Sequence, residues 1–404
     1  MTLHARLAEL ATHGATPHGI DRGLFTASEH AARTLFARWA SDAELRVEQD
    51  RAGNVFARFV GLRDDAPVQC GSHLDTVKNG GAYDGAYGVV GGLEAVARIA
   101  ATEPRPPRSI EVVAWAGEEG SRFPLGCLGS SVFAGLNAYP DVEALIGDDG
   151  ESFDAALRGT HGLLANVPVR DDFPPPAAYV ELHIEQGPIL ERTGARLGIV
   201  TAIAGQRRLS VVVQGVAGHA GTIPMRGRAD ALVAASELVL AVERAALETG
   251  DAVATVGRML VAPNQTNIVP GEVLFRVDIR SVDDARVVAI ERALRDRAVE
   301  IASARGVRVA IETLEVRDAV PMETRMRELV RHACLALDPR AIDIASGAGH
   351  DAMCIAQIAP AAMIFVPSAG GRSHVGDEHT APDDLELGVD ALAAVLSVAA
   401  GHAW

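Results

Sequence analysis

The sequence lacks the features that take a protein into a membrane or onto nucleic acid. It contains no apolar run near the roughly 20 residues that a transmembrane helix requires. It also lacks an excess of positive charge: its formal net charge is −16, which disfavours nucleic acid and anionic membranes as main partners. Residues 1–10 have the pattern of an amphipathic helix without the apolar core of a signal peptide. We therefore expect a cytoplasmic protein that binds neither nucleic acid nor membrane.

Cysteine is also scarce. The four cysteines are spread along the chain and form no CxxC pair; they are Cys70, Cys127, Cys334 and Cys354. Thiol-based metal sites and redox motifs need paired, closely spaced cysteines. We therefore predict four buried thiols.

What remains is the composition of an ordinary soluble globular protein, with 48% hydrophobic and 22% charged residues. A chain of 404 residues exceeds what one core usually supports, which predicts two domains, either consecutive or with one inserted in the other. Because the whole chain is acidic, any anionic substrate must be met by a local basic pocket.

The stretch that organises the chain is residues 71–88. It follows a short apolar run at residues 68–70, the end of a buried strand, and leads into residues 89–99, which are typical of a helix. His73 then lies at the strand end and Asp84 in the loop before the helix, where open α/β sheets place their ligands. Nitrogen and oxygen donors together suit a divalent metal. The alternative is a strand-to-helix turn that contains these residues without a metal.

A pair of adjacent carboxylates, Glu118 and Glu119, follows the apolar run at residues 109–117. That run is typical of a central strand covered on both faces. Like charges so close raise each other's pKa and destabilise a buried site. A divalent cation removes the conflict if one Glu binds it and the other stays free as a general base. The alternative is a solvated pair on a surface loop.

His183 lies on a further predicted strand, residues 178–187. Apolar residues alternate there with Glu181, His183 and Glu185, so the three polar side chains share one face. Such a histidine is either a partner in an ion-pair cluster or a metal ligand oriented by neighbouring groups. The pattern alone leaves both open.

The middle of the chain has a different pattern. Residues 206–318 read as strand, helix, two strands, helix and strand, which is the order of a ferredoxin-like sheet. We predict that this block is an inserted domain and that residues 1–205 and 319–404 form the other domain around it. The final third returns to glycine-rich loops and buried strands, and His374 follows one of these strands.

These segments together resemble the M20-type metallopeptidase and amidohydrolase family, and most closely its N-carbamoyl-amino-acid hydrolase and allantoate amidohydrolase branch. The resemblance covers nearly the whole chain and is carried by residues 71–76, 118–123, 183–187, 218–222, 346–351 and 373–374. It implies an α/β fold, with a catalytic domain built on a mixed central sheet and an inserted ferredoxin-like α+β lid and dimerisation domain.

The resemblance also implies a centre of two divalent metal ions. Asp84 would bridge them, His73 and His183 would bind one ion, and Glu119 and His374 the other. Zinc or manganese is expected, and cobalt or nickel also suit such ligands. Glu118 would be the general base, and Asp75 would orient His73.

For the substrate, the resemblance implies one residue near the developing oxyanion and five that hold the ligand. His219, contributed by the partner subunit of a homodimer, would approach the oxyanion. The substrate-binding positions would be Gln186, Asn267, Arg280, Gly349 and His350. Arg280 supplies the basic group that an anionic small-molecule substrate needs. From its strand pattern alone it is a surface arginine beside Arg276 and Asp278.

The function implied is a metal-dependent amidohydrolase that opens the ureido or carbamoyl C–N bond of allantoate or of an N-carbamoyl-L-amino acid. One alternative is an N-acyl-amino-acid deacylase or a dipeptidase on the same scaffold. Another is a non-catalytic binding protein that kept the fold. Residues 375–377 depart from the small residue and proline that commonly follow Ser-His in the family, which bears on substrate preference.

Overall fold

The computed structural model describes residues 1–102 and 105–402. The chain forms two compact units, Met1–Thr201 with Met322–Trp404, and Ala202–Pro321. The sequence placed the insertion at residues 206–318, a few residues inside the bounds of the second unit.

The first part of the chain contains seven helices and eight strands among its described residues. They are α1 (Leu3–Ala11), β1 (Ala15–Thr16), β2 (Gly19–Ile20), α2 (Ala27–Asp42), β3 (Arg46–Gln49), β4 (Val55–Phe59), β5 (Arg63–His73), α3 (Ala86–Thr102), β6 (Arg108–Trp115), α4 (Leu128–Phe133), α5 (Tyr139–Glu143), α6 (Phe153–Arg158), β7 (Ala178–Ile184), α7 (Ile189–Thr193) and β8 (Gly198–Ile203).

The next elements belong to the middle of the chain, and the last ones return to the first unit from Met322 onward. The middle elements are β9 (Gly205–Gln214), β10 (Gly218–His219), α8 (Ala231–Thr249), β11 (Val253–Ala262), β12 (Ile268–Val269), β13 (Glu272–Ser281), α9 (Asp284–Arg305), β14 (Arg308–Arg317) and β15 (Val320–Pro321). The returning elements are α10 (Thr324–Leu337), β16 (Ile342–Ser346), α11 (Asp351–Ile355), β17 (Ala361–Val366), a 3-10 turn (Ala369–Gly371) and α12 (Pro382–Gly401).

A mixed sheet forms the centre of the first unit, in the order β3-β4-β6-β5-β7-β17-β8, with β16 paired to β8. Strands β6, β5, β7 and β17 are mutually parallel neighbours. Every residue of β6, β7 and β17 is buried, because helices cover a parallel sheet on both faces and its strands read as continuous apolar runs. One hydrophobic core joins these strands to α1, α2, α3, α10 and α12.

The second unit is a four-stranded antiparallel sheet in the order β11-β13-β9-β14. Along β13 buried residues alternate with partly buried or exposed ones, because alternate side chains face opposite sides of a strand. The inward set, with Val273 and Phe275 among it, packs in one core with α8 and α9. This is the βαββαβ order of a ferredoxin-like sheet, so the predicted fold class, a mixed central sheet with a separate antiparallel α+β domain, is confirmed.

Among the described residues, no helix combines the length and the apolar character needed to cross a membrane. Cys70, Cys127, Cys334 and Cys354 are all buried, as the sequence predicted.

Candidate metal centre and active site

The polar residues singled out in the sequence of the first unit follow strands that lie side by side in the sheet. His73 is the last residue of β5, and His183 is the penultimate residue of β7. Glu118 and Glu119 follow β6, and His374 follows β17. Because these strands run parallel, their carboxyl ends meet at one edge of the sheet, which is where open α/β sheets bind ligands.

Asp84 lies at the middle of this edge, and its two carboxylate oxygens face different histidines. Its Oδ1 is 3.2 Å from Nε2 of His183 and 3.6 Å from Nε2 of His73. Its Oδ2 is 3.2 Å from Nε2 of His374. One carboxylate therefore faces two separate groups of ligand atoms, with one group on each oxygen.

The ring orientations of two histidines are set by the main chain. Nδ1 of His73 lies 2.9 Å from the carbonyl oxygen of Asp75, and Nδ1 of His183 lies 2.9 Å from the carbonyl oxygen of Ile184. A carbonyl only accepts hydrogen bonds, so each Nδ1 carries a proton and donates it. In the neutral ring Nε2 then presents a lone pair toward the Asp84 carboxylate, an arrangement that a cation between the two would stabilise. In the protonated ring Nε2 donates to that carboxylate instead.

The second group consists of Asp84, Glu119 and His374. Oε2 of Glu119 is 3.4 Å from Nε2 of His374, and its Oε1 accepts a hydrogen bond from the backbone N–H of Val77 at 3.2 Å. In both groups, His73-Asp84-His183 and Asp84-Glu119-His374, the ligand atoms lie within 4.8 Å of one another. Histidine nitrogens with carboxylate oxygens form a donor set that fits a divalent transition metal.

The two groups differ in exposure. The side chains of His73 and His183 are 2% and 1% exposed, whereas that of His374 is 50% exposed. Glu119 is also well shielded, with a side chain 6% exposed. The first group is therefore closed to solvent, and the second is open on its histidine side.

Burial and neighbouring charges shift the pKa of two carboxylates of the site in opposite directions. Burial raises the pKa of Asp84, but hydrogen bonds from His183, His374 and His73 outweigh burial and bring that pKa well below its ordinary value. Burial, followed by the charge of Asp84, raises the pKa of Glu119 well above its ordinary value. The two shifts have opposite causes: the histidines stabilise the Asp84 carboxylate, whereas Glu119 is buried beside other carboxylates. A divalent ion would relieve the crowding.

Glu118 stands beside this cluster. Its Oε2 is 3.7 Å from Nε2 of His73, and its Oε1 accepts a hydrogen bond from the thiol of Cys127 at 3.4 Å. Burial raises the pKa of Glu118, and the charges of Asp75 and Asp84 add to the rise although His73 lowers it. A carboxyl so placed can exchange a proton with a group held at the centre.

Asp75 has more contacts than the sequence indicated. Its Oδ1 accepts the backbone N–H of Glu118 at 3.1 Å, and its Oδ2 accepts that of Glu119 at 3.2 Å. The hydrogen bond to Nδ1 of His73 comes from its main-chain carbonyl, with the carboxylate 3.6 Å away. Asp75 therefore orients the turn that carries both glutamates as well as the histidine ring.

Three predicted substrate positions lie near the centre. Nε2 of Gln186 donates to Oδ2 of Asp84 at 2.8 Å, so this residue contacts the central carboxylate. The ring of His350 lies against that of His183, with centroids 4.6 Å apart, and its Nε2 is 2.7 Å from Oγ of Ser346. A Cβ added to Gly349 would be 4.0 Å from Oε1 of Glu118. Their role in substrate binding stays a prediction.

The other three positions belong to the second unit. His219 is exposed on β10, which pairs with β12, and the backbone N–H of Ala220 donates to the carbonyl of Asn267 at 2.9 Å. His219 and Asn267 therefore lie on loops that are tied together. Arg280 on β13 donates through Nε to Oδ1 of Asp278 at 2.8 Å. How these residues contribute to a site stays a prediction.

Sequence reasoning missed Glu378, which is buried and hydrogen-bonded to the loop of Asp84. Its Oε1 accepts the backbone N–H groups of Tyr83 and Asp84, and its Oε2 accepts the hydroxyl of Ser373 at 2.7 Å. The available signal was a carboxylate four residues after His374 in a loop already suspected of binding metal.

The chain matches the model of peptidase family M20/M25/M40 over residues 70–398. This chain belongs to that family. It is 38% identical over 400 residues to an N-carbamoyl-L-amino-acid amidohydrolase of Paenarthrobacter aurescens, covering 98% of this chain and 96% of the relative. It is 36% identical over 393 residues to an allantoate amidohydrolase of Bacillus subtilis, covering 96% and 94%.

A solved structure is similar over its whole length. The crystal structure of an amidase of the hydantoinase/carbamoylase family from Burkholderia multivorans superposes with a TM-score of 0.92 at 39% identity, covering 100% of this chain and 98% of that chain. The M20 chain described here therefore lies in the hydantoinase/carbamoylase branch, as a metallohydrolase with amidohydrolase chemistry. The predicted family and enzyme class are confirmed.

Proposed function

We propose that this M20 amidohydrolase uses two divalent metal ions to open the ureido C–N bond of allantoate or of an N-carbamoyl-L-amino acid. The observation that carries the proposal is the pair of ligand groups on the two oxygens of Asp84. His73 and His183 face Oδ1, while His374 and Glu119 complete the group at Oδ2. When bound, such ions would polarise the scissile carbonyl and lower the pKa of a water molecule.

The general base is Glu118. Its carboxylate lies beside His73 and carries no ligand role in either group, so it is available to take a proton from the attacking water. The same carboxyl then delivers that proton to the departing nitrogen. In the overall reaction a ureido group, R–NH–CO–NH₂, and one water give an amine, ammonia and carbon dioxide.

His219 supports the developing negative charge. The backbone N–H of Gly221 donates to its Nδ1 at 3.1 Å, so in the neutral ring the proton resides on Nε2. That N–H is then a donor of the kind that stabilises an oxyanion. We propose that His219 acts in the neighbouring subunit of a homodimer formed through the second unit.

The substrate carries a carboxylate that pairs with Arg280. Asp278 holds one edge of the Arg280 guanidinium, which gives the group a defined orientation. Substrates of this class are small anions, and the net charge of the protein, −16, repels anions. A local cation such as Arg280 is therefore needed to bind them. The named relatives act on allantoate and on N-carbamoyl-L-amino acids, and both substrates present a ureido group near a carboxylate.

The deciding experiment is a substrate panel with the purified enzyme loaded with zinc, manganese, cobalt or nickel. Allantoate, N-carbamoyl-L-amino acids and their D-enantiomers, N-acetyl-L-amino acids and dipeptides would be compared by kcat/KM, with ammonia release as the readout for ureido substrates. We expect ureido substrates to exceed N-acetyl analogues, and chelated protein to be inactive. A preference for N-acetyl substrates or dipeptides would replace the proposal with a deacylase or dipeptidase function.

A second readout tests the metal count without depending on activity. Elemental analysis of the reloaded protein should give two ions per chain. Asp84→Asn should retain fewer ions than a variant that changes one ligand group alone, such as His183→Asn or His374→Asn. One ion per chain in the active enzyme would remove the bridging role of Asp84.

A further inference from the structure

A cysteine with an unusual backbone contacts the proposed general base. Cys127 has φ 53° and ψ 38°, in the left-handed region. Residues with a Cβ seldom adopt this conformation, which glycine adopts readily, so a side chain retained there points to a role. Its neighbour in sequence is Gly126, and Cys127 precedes the first residue of α4.

The backbone around Cys127 is tied to the loop that carries Glu118. The backbone N–H of Cys127 donates to the carbonyl of Glu118 at 2.8 Å. The N–H groups of Leu128 and Gly129 donate to the carbonyls of Gly117 and Ala116. These bonds hold residues 116–118 against residues 127–129, so the thiol has a fixed position relative to the carboxylate.

The thiol itself donates to Oε1 of Glu118, with Sγ and Oε1 3.4 Å apart. Cys127 is buried, at 2% exposure, so water does not compete for this contact. A hydrogen bond with the thiol of Cys354, then burial and the charge of Glu118, raises the pKa of Cys127 well above its ordinary value, so the thiol stays protonated. Because a thiol is a weak donor, it can orient a carboxylate while leaving it basic.

We propose that Cys127 is a positioning residue for Glu118. Its thiol holds Oε1, so that Oε2 faces His73 and the metal centre. The proposal rests on the proposed base role of Glu118. It gives the buried thiol of Cys127 a role beyond packing. It also gives a reason for a residue with a side chain at this left-handed position.

The test uses substitutions that separate the thiol from the backbone. Cys127→Ala removes the donor, Cys127→Gly removes it at a position whose φ suits glycine, and Cys127→Ser keeps a donor. Cys334→Ala in α10 is the matched control, because it also removes a buried thiol but lies outside the site. For each variant kcat, KM, metal content and Tm would be measured with the preferred substrate of the wild-type enzyme.

We expect Cys127→Ala and Cys127→Gly to lower kcat about 3- to 10-fold, the size of one lost hydrogen bond, with KM and metal content unchanged. Cys127→Ser should keep most of kcat, and Cys334→Ala should match wild type. In a Glu118→Gln background, Cys127→Ala should cause no further loss, since the base it positions is already absent.

Three outcomes would overturn the proposal. They are wild-type kcat in both the Ala and Gly variants, a fall in metal content that accounts for the lost activity, and a full additional loss in the Glu118→Gln background. Failure of the proposed function is seen separately, because an active Glu118→Gln enzyme would refute the base role whatever Cys127 does.

Discussion

Glu378 accepts the backbone N–H of Asp84 at 3.0 Å, and the same Oε1 accepts that of Tyr83 at 2.9 Å. Its other oxygen accepts the hydroxyl of Ser373, the residue before His374. A single buried carboxylate therefore ties the loop that presents the central Asp84 to the loop that presents a ligand of the second group. The loop that precedes Asp84 lies so close to Glu378 that a Cβ added to Gly81 would fall 2.1 Å from the Glu378 side chain.

Glu378→Ala is expected to weaken metal binding at the group of Asp84 and His374. The substitution leaves two buried N–H groups without an acceptor, at about 1–3 kcal/mol for each group, and releases both loops. Metal content after dialysis and Tm should both fall. Glu378→Gln, which keeps an acceptor oxygen, should be milder, and exposed Asp377→Asn in the same loop should match wild type. Equal metal content in Glu378→Ala and wild type would contradict the structural role.

Glu118→Gln and Glu119→Gln are expected to fail in different ways. The first keeps both ions but loses on the order of 10²- to 10⁴-fold in kcat, because an amide accepts no proton. The second removes an anionic ligand of the second group and loses metal. Elemental analysis beside kcat separates them. If Glu118→Gln lost metal while Glu119→Gln kept it, the two roles would be exchanged.

Metal binding is expected to strengthen as pH rises toward 9. The hydrogen bond to Asp84 raises the pKa of His374 to about 9 in the metal-free protein, so below that pH an incoming ion must displace a proton. Titration calorimetry in buffers of different ionisation enthalpy would count the protons released, and at least one is expected at pH 7. A proton count of zero would contradict the prediction.

The raised pKa of His374 has the opposite pH dependence for the stability of the metal-free fold: stability falls as pH rises. The raised pKa of His374 stabilises that fold fully below its ordinary pKa of about 6.5, and this contribution is lost as pH rises through 9. The metal-free protein should therefore lose stability across this window, while His374→Asn loses less. Denaturant unfolding of chelated protein at several pH values would measure the difference.

His219→Ala is expected to lower kcat with metal content unchanged, because the residue belongs to neither ligand group. If it acts on the neighbouring subunit, mixing this variant with Glu118→Gln should regenerate activity, since each mixed dimer assembles one site with both wild-type residues. Subunit exchange would be verified with differently tagged chains. Verified exchange without recovered activity would rule out the shared site and leave His219 acting within its own chain or only structurally.

The sequence predicted well what depends on pattern along the chain. Burial of β6 follows from its unbroken apolar run, and His73 at a strand end with Asp84 in the loop before a helix follows from the pattern of residues 68–99. The pattern left the role of His183 open, and only the resemblance grouped it with His73 and Asp84. The ferredoxin-like order of the second unit could likewise be read from the alternation of strands and helices.

The sequence did not predict contacts between residues that lie far apart along the chain. Glu378 accepts a hydrogen bond from the backbone of Asp84 although the two residues are 294 positions apart. No local sequence pattern predicts such a pair. Gln186 carries a predicted substrate role, and nothing in the sequence indicated that its amide also donates to Asp84. The left-handed backbone of Cys127 is similarly a product of tertiary packing, since its sequence neighbours give no turn signal that requires it.

The unequal exposure of the ligand histidines has a kinetic consequence. If two ions bind as proposed, the one held by Asp84, Glu119 and His374 would exchange with bulk solvent on the exposed side of His374, and the one held by the buried His73 and His183 would exchange more slowly. Loading and stripping would then proceed in a fixed order, through a long-lived species holding one ion at the inner position. An enzyme moved from one metal solution to another would in that case keep its first ion longer at the inner position than at the outer one.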